Sequence, residues 1–499
     1  LDWVYSGVFF IALFFVIVLA EGLRKLFNWI PDTTRKFVHI VTGILISTIP
    51  FLFHSPIPIL TITIFFTILN FIAIEFGFLK AMHGTARKSF GTVYYPLSLI
   101  ILLLFFWESY QLILVISMLV LAFGDAFAAL FGENLKRLHF YQLAGDRKTI
   151  EGSLVMLITT IVIVVVGLLV GANYIPGGIQ LSLMEAIGVA VVVGIIATVC
   201  EAISTSGSDN LTIPVGTAFF LHFMLSRFSV GNQIENIQLT IGLFLAFVVA
   251  FVSLRLRFLS LNGSVATFLL GTVIFGIGGW AFSLPILTFF VLSSLLSKLG
   301  GHKKKKRDQT FQKSSQRDMW QVAANGGLPF VLVLIWNFYR VDFIFYLYLA
   351  ALSAVTADTW GTEIGFFSKK RPRFILNFKE VPSGTSGGIT LLGTFGGAFG
   401  AMLIALVGWL SHQPRISIDI FLIIIASGVL ASVVDSILGA TIQAQFQCPG
   451  CQKITEKILH CNNIPTVMIS GIRWVRNDLV NFLAAVSGLF WLWILSWLV

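Results

Sequence analysis

Apolar runs long enough to cross a bilayer recur from one end of this 499-residue chain to the other. A membrane-spanning helix needs about 20 predominantly apolar residues, and only helices or closed barrels satisfy their backbone polar groups in lipid. The runs are long and continuous, which predicts an all-α polytopic membrane protein. Composition agrees, with 57% hydrophobic and only 11% charged residues. The first run, Val4 to Ala20, has no small-residue cleavage site before the charged segment after it and is read as a true span.

We place about sixteen spans, starting near residues 4, 38, 57, 91, 111, 151, 185, 211, 239, 264, 281, 320, 343, 386, 418 and 477. Loops after odd-numbered spans then hold Arg24, Lys25, Arg35, Lys36, Lys80, Arg87, Lys88, Lys136, Arg137, Arg147 and Lys148. In the second half they hold the basic stretches 298–317, 369–379 and 453–476. Of the 33 Lys and Arg, only Arg227, Arg340 and Arg415 fall on the other side. This is the positive-inside asymmetry. It predicts cytoplasmic odd loops and extracytoplasmic termini. The net charge of +10 is thereby read as topology, with no nucleic-acid partner. "KLGGHKKKKRD" (298–308) is read as a loop meeting anionic lipid head groups.

Two stretches share a spacing. "FGDAFAALFGENLKRLH" (123–139) and "TADTWGTEIGFFSKKRP" (356–372) place Asp125 and Asp358 in apolar sequence. Each has a glycine seven positions on, Gly132 and Gly365, and a basic pair beyond it, Lys136–Arg137 and Lys369–Lys370. Downstream lie "GDRKTIEGS" (145–153) in one half and "VPSGTSGGITLLGTFGG" (381–397) in the other. Glu201 and then Asp209–Asn210 follow in the first half; Asp435 and then Asn477–Asp478 follow in the second. "RKFVHIVTG" (35–43) and "RLRFLSLNG" (255–263) match upstream. The order predicts two parallel eight-helix repeats: a domain over 1–225, a polar linker over 226–238 and a second domain over 239–499.

An ionised carboxylate in a span is costly and normally faces a polar cavity. Asp125, Glu201, Asp209, Asp358, Glu363, Asp435 and Asp478 fall toward span ends on the face that carries the basic loops. Carboxylates, amines and glycine-rich loops together suit a Mg²⁺-bound polyphosphate: oxygen ligands hold the metal, amines neutralise phosphate, and glycines let N–H groups approach. Glu21 and Glu75, taken singly, are read as snorkelling or locally paired. Arg35, Lys36 and His39 fit either interface anchoring or phosphate contact. Gly384, Gly387 and Gly388, with Thr385 and Ser386, fit a phosphate loop better than helix packing, although the latter stays open. There is no GxxxxGK[ST] and no GxGxxG after a strand.

The first half resembles the membrane phytol kinase/dolichol kinase group, through "RKFVH", "GDAFAALFG", "KTIEGS" and, most specifically, "SDNLTIP" preceded by Glu201. The second half resembles the family that includes phytyl-phosphate kinase, often catalogued as a membrane family of unknown function. Its pieces are "LNGSVATFLLG", "QVAANGG", "ADTWGTEIG", "GTSGGITLLGTFGG", "DSILGATIQ" and "NDLVNF". The resemblance implies phosphorylation of a prenyl alcohol and then of its monophosphate, with CTP or another NTP, in one fused chain. One departure stands out: Glu133 follows Gly132 where the kinase group would carry a basic residue. On this reading Asp125 and Asp209 are metal ligands or base, Lys148 meets phosphate, and Glu151, Glu201 and Asn210 complete the first set. Asp358, Asp435 and Asp478 hold metal in the second, with Glu363, Asn477 and the 384–388 loop beside them. A phosphatidate cytidylyltransferase-like enzyme and a transporter are the rivals.

Three of the four cysteines lie in "CPGCQKITEKILHC" (448–461). A disulfide is disfavoured on the cytoplasmic side. Cys448, Cys451, His460 and Cys461 form a candidate zinc set, although adjacent His and Cys are awkward partners for one ion, and an inert loop is the alternative. Cys200 is read as packed in an apolar run.

Overall fold

A computed structural model describes residues 1–29, 31–76, 89–134, 138–229, 233–307, 316–412, 416–452, 454–456, 458–461 and 464–498. The expected positions Lys80, Arg87, Lys88, Lys136 and Arg137 lie outside the described residues, as do 308–315 of the long basic loop and the centre of the expected linker, 230–232.

Fourteen described helices are long and apolar enough to cross a membrane, and two shorter apolar helices accompany them. In chain order they are α1 Asp2–Phe27, α2 Thr33–Leu52, α3 Ile57–Phe76, α4 Gly91–Phe106, α5 Gln111–Gly132, α6 Ile150–Asn173, α7 Leu183–Ala202, α8 Asp209–Phe228, α9 Ile237–Arg255 and α10 Leu261–Gly276. Then come α11 Gly279–Leu299, α12 Met319–Tyr339, α13 Asp342–Gly365, α14 Leu391–Ser411, α15 Ile418–Thr441 and α16 Asn477–Leu495. Each expected span start has a helix. Two of the sixteen, α4 and α10, have only 16 residues each. At 1.5 Å per residue such a helix covers about 24 Å, less than the ~30 Å hydrocarbon core. The start expected near 386 moves to Leu391, because residues 388–390 form a strand and a helix cap.

The chain divides into two compact units, Leu1–Asn236 and Ile237–Val499. Helix ends occupy most of the segment expected as a linker: helix runs to Ser229 and resumes at Gln233.

Within the first unit α5 is a core helix. Leu112 to Met118 are all buried, and the helix packs against α2, α6 and α8. Its path changes at Val120–Asp125, a π-helical segment that ends on Asp125. Such insertions re-aim side chains and are common where a helix carries function. Within the second unit α13 has the same central role. Tyr348 to Ala357 are buried, and it packs on α14, α15 and α16. Outer helices such as α1 and α3 leave Phe14, Phe15, Phe65 and Ile68 exposed, as lipid-facing helices do.

Short antiparallel hairpins precede α6 and α14. Strand β1 Phe140–Tyr141 pairs with β2 Lys148–Thr149, and β3 Arg373–Phe374 with β4 Gly388–Ile389. Each hairpin delivers a threonine to a helix start. Thr149 Oγ1 accepts from Gly152 N at 3.2 Å, and Thr390 Oγ1 accepts from Gly393 N at 3.0 Å. These are N-caps, which satisfy otherwise orphaned N–H groups. Five further strands, β5 Gln445–Gln447, β6 Ile454–Thr455, β7 Leu459–His460, β8 Ile464–Pro465 and β9 Val467–Ser470, lie between α15 and α16.

Candidate functional site

In the first unit, Lys148 ends up beneath the cap of α6 because β2 must place Thr149 at the helix start. Its Nζ lies 2.7 Å from Glu201 Oε1 and 3.6 Å from Asp209 Oδ2. Glu201 comes from the last turn of α7 and Asp209 from the first residue of α8. The Thr205–Ser208 turn between them is held by Ser208 Oγ accepting from Thr205 N. Asp125, at the end of the π-helical segment, is in electrostatic reach of Asp209, Lys148, Glu201 and Arg35. Four of the expected residues, separated by as many as 84 positions, thus meet in one place.

The charges do not cancel. Glu201 and Asp209 flank one lysine, Asp125 adds a third carboxylate in electrostatic reach of it, and Arg35 is a further cation in reach of Asp125. Burial works against the charge on Lys148, yet Glu201 and Asp209, with Asp125 behind them, hold its ammonium above the usual lysine range.

The remaining expected residues divide. His39 packs its ring on Tyr95 at 4.8 Å and lies 3.3 Å from Leu121 O. Lys36 is buried. Asn210 donates to Gly207 O and to Asp209 Oδ1, so it braces the turn. Glu151 is not brought into the cluster. It faces the other way, with Oε1 2.7 Å from His139 Nδ1. In place of Glu151, the hydroxyl of Ser153 reaches the cluster, donating to Glu201 Oε2 at 3.2 Å. Tyr141 OH lies 2.6 Å from Ser153 Oγ, and Ser204 Oγ donates to Asp209 Oδ2 at 3.3 Å. The sequence reading missed these three hydroxyls. Tyr141 was legible only through register, since it stands opposite Lys148 in the hairpin.

In the second unit Asp358 lies on α13, Asp435 on α15, and Asn477–Asp478 at the start of α16, three helices that pack on one another. A Cβ placed on Gly361 would stand 4.0 Å from Ser432 Oγ, so the Asp358–Gly361 turn of α13 adjoins the Ser432–Asp435 turn of α15. Glu363 points elsewhere, accepting from Ser297 Oγ at 3.0 Å. Lys369 and Lys370 are exposed just before β3. The 384–388 stretch is a loop running into β4: Gly384 and Gly387 have φ of 90° and 79°, conformations that glycine adopts without strain. The loop rests against Ser436 and Ala440 of α15 at Gly387.

The same unit contains a small, half-open apolar pocket of about 50 Å³. Thr267 and Gly271 of α10, Gln321 and Asn325 of α12, Phe289 of α11 and Arg317 line it. Two of the stretches singled out by sequence, "LNGSVATFLLG" and "QVAANGG", therefore face one space.

A family model described as integral membrane protein DUF92 matches residues 244–489. Protein PGR of Arabidopsis thaliana is 32% identical over 271 residues, 50% of this chain and 92% of that protein. The chain belongs to the DUF92 family of integral membrane proteins. This DUF92 chain is also similar to the uncharacterized membrane protein MJ0933 of Methanocaldococcus jannaschii, 32% identical over 206 residues, 41% of this chain and 83% of that one. A phytol kinase of Synechocystis is 33% identical over 218 residues, 43% of this chain and 89% of the relative. No solved structure matches.

Proposed function

We propose that this protein is a membrane phosphotransferase that converts a prenyl alcohol to its monophosphate in the first unit and the monophosphate to the diphosphate in the second, using CTP or another nucleoside triphosphate. The observation that carries the reading is the Asp125–Lys148–Glu201–Asp209 cluster, built where the ends of three apolar helices meet a polar hairpin. The similarity to a phytol kinase supports it. A prenyl alcohol partitions into lipid and a nucleotide does not, so their reaction needs charged groups at such a boundary.

In the first step the alcohol oxygen bonds to the γ-phosphorus. The bond from that phosphorus to the β–γ bridging oxygen breaks, and the nucleoside diphosphate leaves with its electrons. The hydroxyl proton passes to a carboxylate of the cluster. Asp125, Glu201 and Asp209 are oxygen donors in electrostatic reach of one another with excess negative charge, a chemistry that suits Mg²⁺. Bound there, the ion would neutralise charge on the phosphates. Lys148 fixes the orientation of Glu201 and Asp209, and the Ser153–Tyr141 pair fixes the far oxygen of Glu201.

In the second step the acceptor is an ionised phosphate oxygen, which needs no base. Asp358, Asp435 and Asp478 are the acidic set; in the 384–388 loop Thr385 N and Gly388 N donate to Pro382 O and Thr385 O, and the N–H groups of Gly384, Ser386 and Gly387 are the ones we assign to phosphate. Both sites are read as cytoplasmic, in keeping with the basic loops.

The test is mass spectrometry of the products formed by the purified full chain with CTP and a panel of prenyl alcohols. Prenyl monophosphate, prenyl diphosphate and CDP are expected. Release of pyrophosphate with a CDP-linked lipid would make it a cytidylyltransferase. Nucleotide-independent uptake into proteoliposomes would make it a transporter.

A further inference from the structure

The segment between α15 and α16 brings Cys448, Cys451, His460 and Cys461 together, with their donor atoms all within 4.8 Å of one another. Cys448 and Cys451 flank Pro449–Gly450 in the turn between β5 and β6, and Gln452 N donates to Cys448 O at 2.8 Å to close that turn. Gln452 has φ of 58°, which bends the chain away after Cys451. The second pair comes from the β7–β8 hairpin. Consecutive residues of a strand point to opposite faces, which is why adjacent His and Cys look unpromising in sequence. Here Cys461 has φ of 44°, outside the strand conformation, and the alternation is broken. Cys461 Sγ then lies 3.1 Å from His460 Nδ1, and Cys451 Sγ lies 3.5 Å from the same nitrogen.

We propose that these four residues bind one zinc ion, and that the clip they form holds the 384–388 loop. Three thiolates and one imidazole are a common structural zinc set. Zn–S distances of about 2.3 Å in a tetrahedron put the sulfurs about 3.8 Å apart, which lies within the 4.8 Å that spans the four donor atoms here. Four protein ligands fill a tetrahedral site and leave no open position for substrate, as befits a structural metal; Cys448 forms its buried side and Cys461 its exposed one. The link to the loop is direct: Ser386 Oγ donates to Glu456 Oε1 at 3.0 Å, and Glu456 follows β6 of the clip immediately. These small paired strands bury little apolar area, so a metal is the natural source of their stability.

The measurement is the metal content of the purified full-length protein by elemental mass spectrometry. About one zinc per chain is expected. Cobalt loading should give the thiolate-to-metal absorption of a tetrahedral sulfur site. Zinc should be lost in a Cys448→Ser/Cys451→Ser variant and by chelation of the unaltered protein, and hydrogen exchange over 384–388 should rise in both. Ser386→Ala should keep its zinc and raise exchange over the same loop. Absence of zinc from the unaltered protein with no cobalt–thiolate absorption, or zinc retained by the double variant, would overturn the site. Unchanged exchange in Ser386→Ala would overturn the tether. None of these readouts depends on phosphorylation.

Discussion

The two hairpin junctions, one in each unit, use the same device and arm it differently. In both, a threonine at the end of the second strand caps the next helix. Thr149 has φ −123°, ψ 146° and Thr390 has φ −129°, ψ 147°. In both, the glycine seven residues after the buried aspartate abuts that threonine: a Cβ on Gly132 would lie 2.5 Å from Thr149 Oγ1, and one on Gly365 would lie 3.1 Å from Thr390 Oγ1. The strand residue before the cap then differs. It is Lys148 in the first unit and Ile389 in the second. The first hairpin closes over 142–147, whereas the second spans 375–387 and carries the glycine loop. The shared spacing is therefore explained by a cap, and the chemistry is set by what the hairpin carries beside it. An alcohol acceptor calls for a base held in place by a lysine; an anionic acceptor calls for N–H groups. On our proposed reading, that is the division between the units.

The strongest way to break the comparison is to remove one aspartate at a time. Asp125→Asn should slow alcohol phosphorylation roughly a hundredfold or more and leave monophosphate phosphorylation in place, and Asp358→Asn should do the reverse. Turnover of each acceptor, across a Mg²⁺ titration and with melting temperature alongside, checks both. If Asp125→Asn stops both steps, the two regions do not work separately. A well-folded Asp358→Asn protein with normal turnover and Mg²⁺ dependence would reduce the repeated spacing to a packing pattern.

Next comes the lysine. Lys148→Met leaves buried carboxylates without their cation and should cost about 3–5 kcal/mol of stability in detergent denaturation. Ile389→Met at the matching place should cost under about 1.5 kcal/mol. Because the Lys148 ammonium is held above its ordinary range, its contribution is fully present below the ordinary lysine value of about 10.5 and is lost only as pH rises through the higher folded value. The penalty of Lys148→Met should therefore be flat between about pH 7 and about pH 9. A penalty that fades within that window would show that the ion pair is not what Lys148 contributes.

A smaller contrast separates the glycines. Gly132→Ala pushes a methyl group against Thr149 and should cost about 1–3 kcal/mol, while Gly365→Ala, with more room, should cost less. Equal costs would mean that the two junctions relax alike. Smallest is removal of the caps, about 1 kcal/mol for Thr149→Ala and for Thr390→Ala.

The sequence by itself determined the class of fold, the approximate places where helices begin and the charged residues that are candidates for the first cluster. Each of these depends on local properties: apolar length, the expense of a carboxylate in a span, and glycine or threonine beside a helix start. It also led us to Glu151, because nothing local distinguishes a carboxylate that turns toward Glu201 from one that turns to His139. Only tertiary structure decided that Ser153 and Tyr141 complete the first cluster, because their meeting depends on hairpin register. Only tertiary structure brought His460 and Cys461 within reach of Cys448 and Cys451, because that depends on one residue leaving the strand conformation. Pattern along a chain reports what each residue costs to bury. Which residues share a point in space follows from how the helices pack and how the turns between them close.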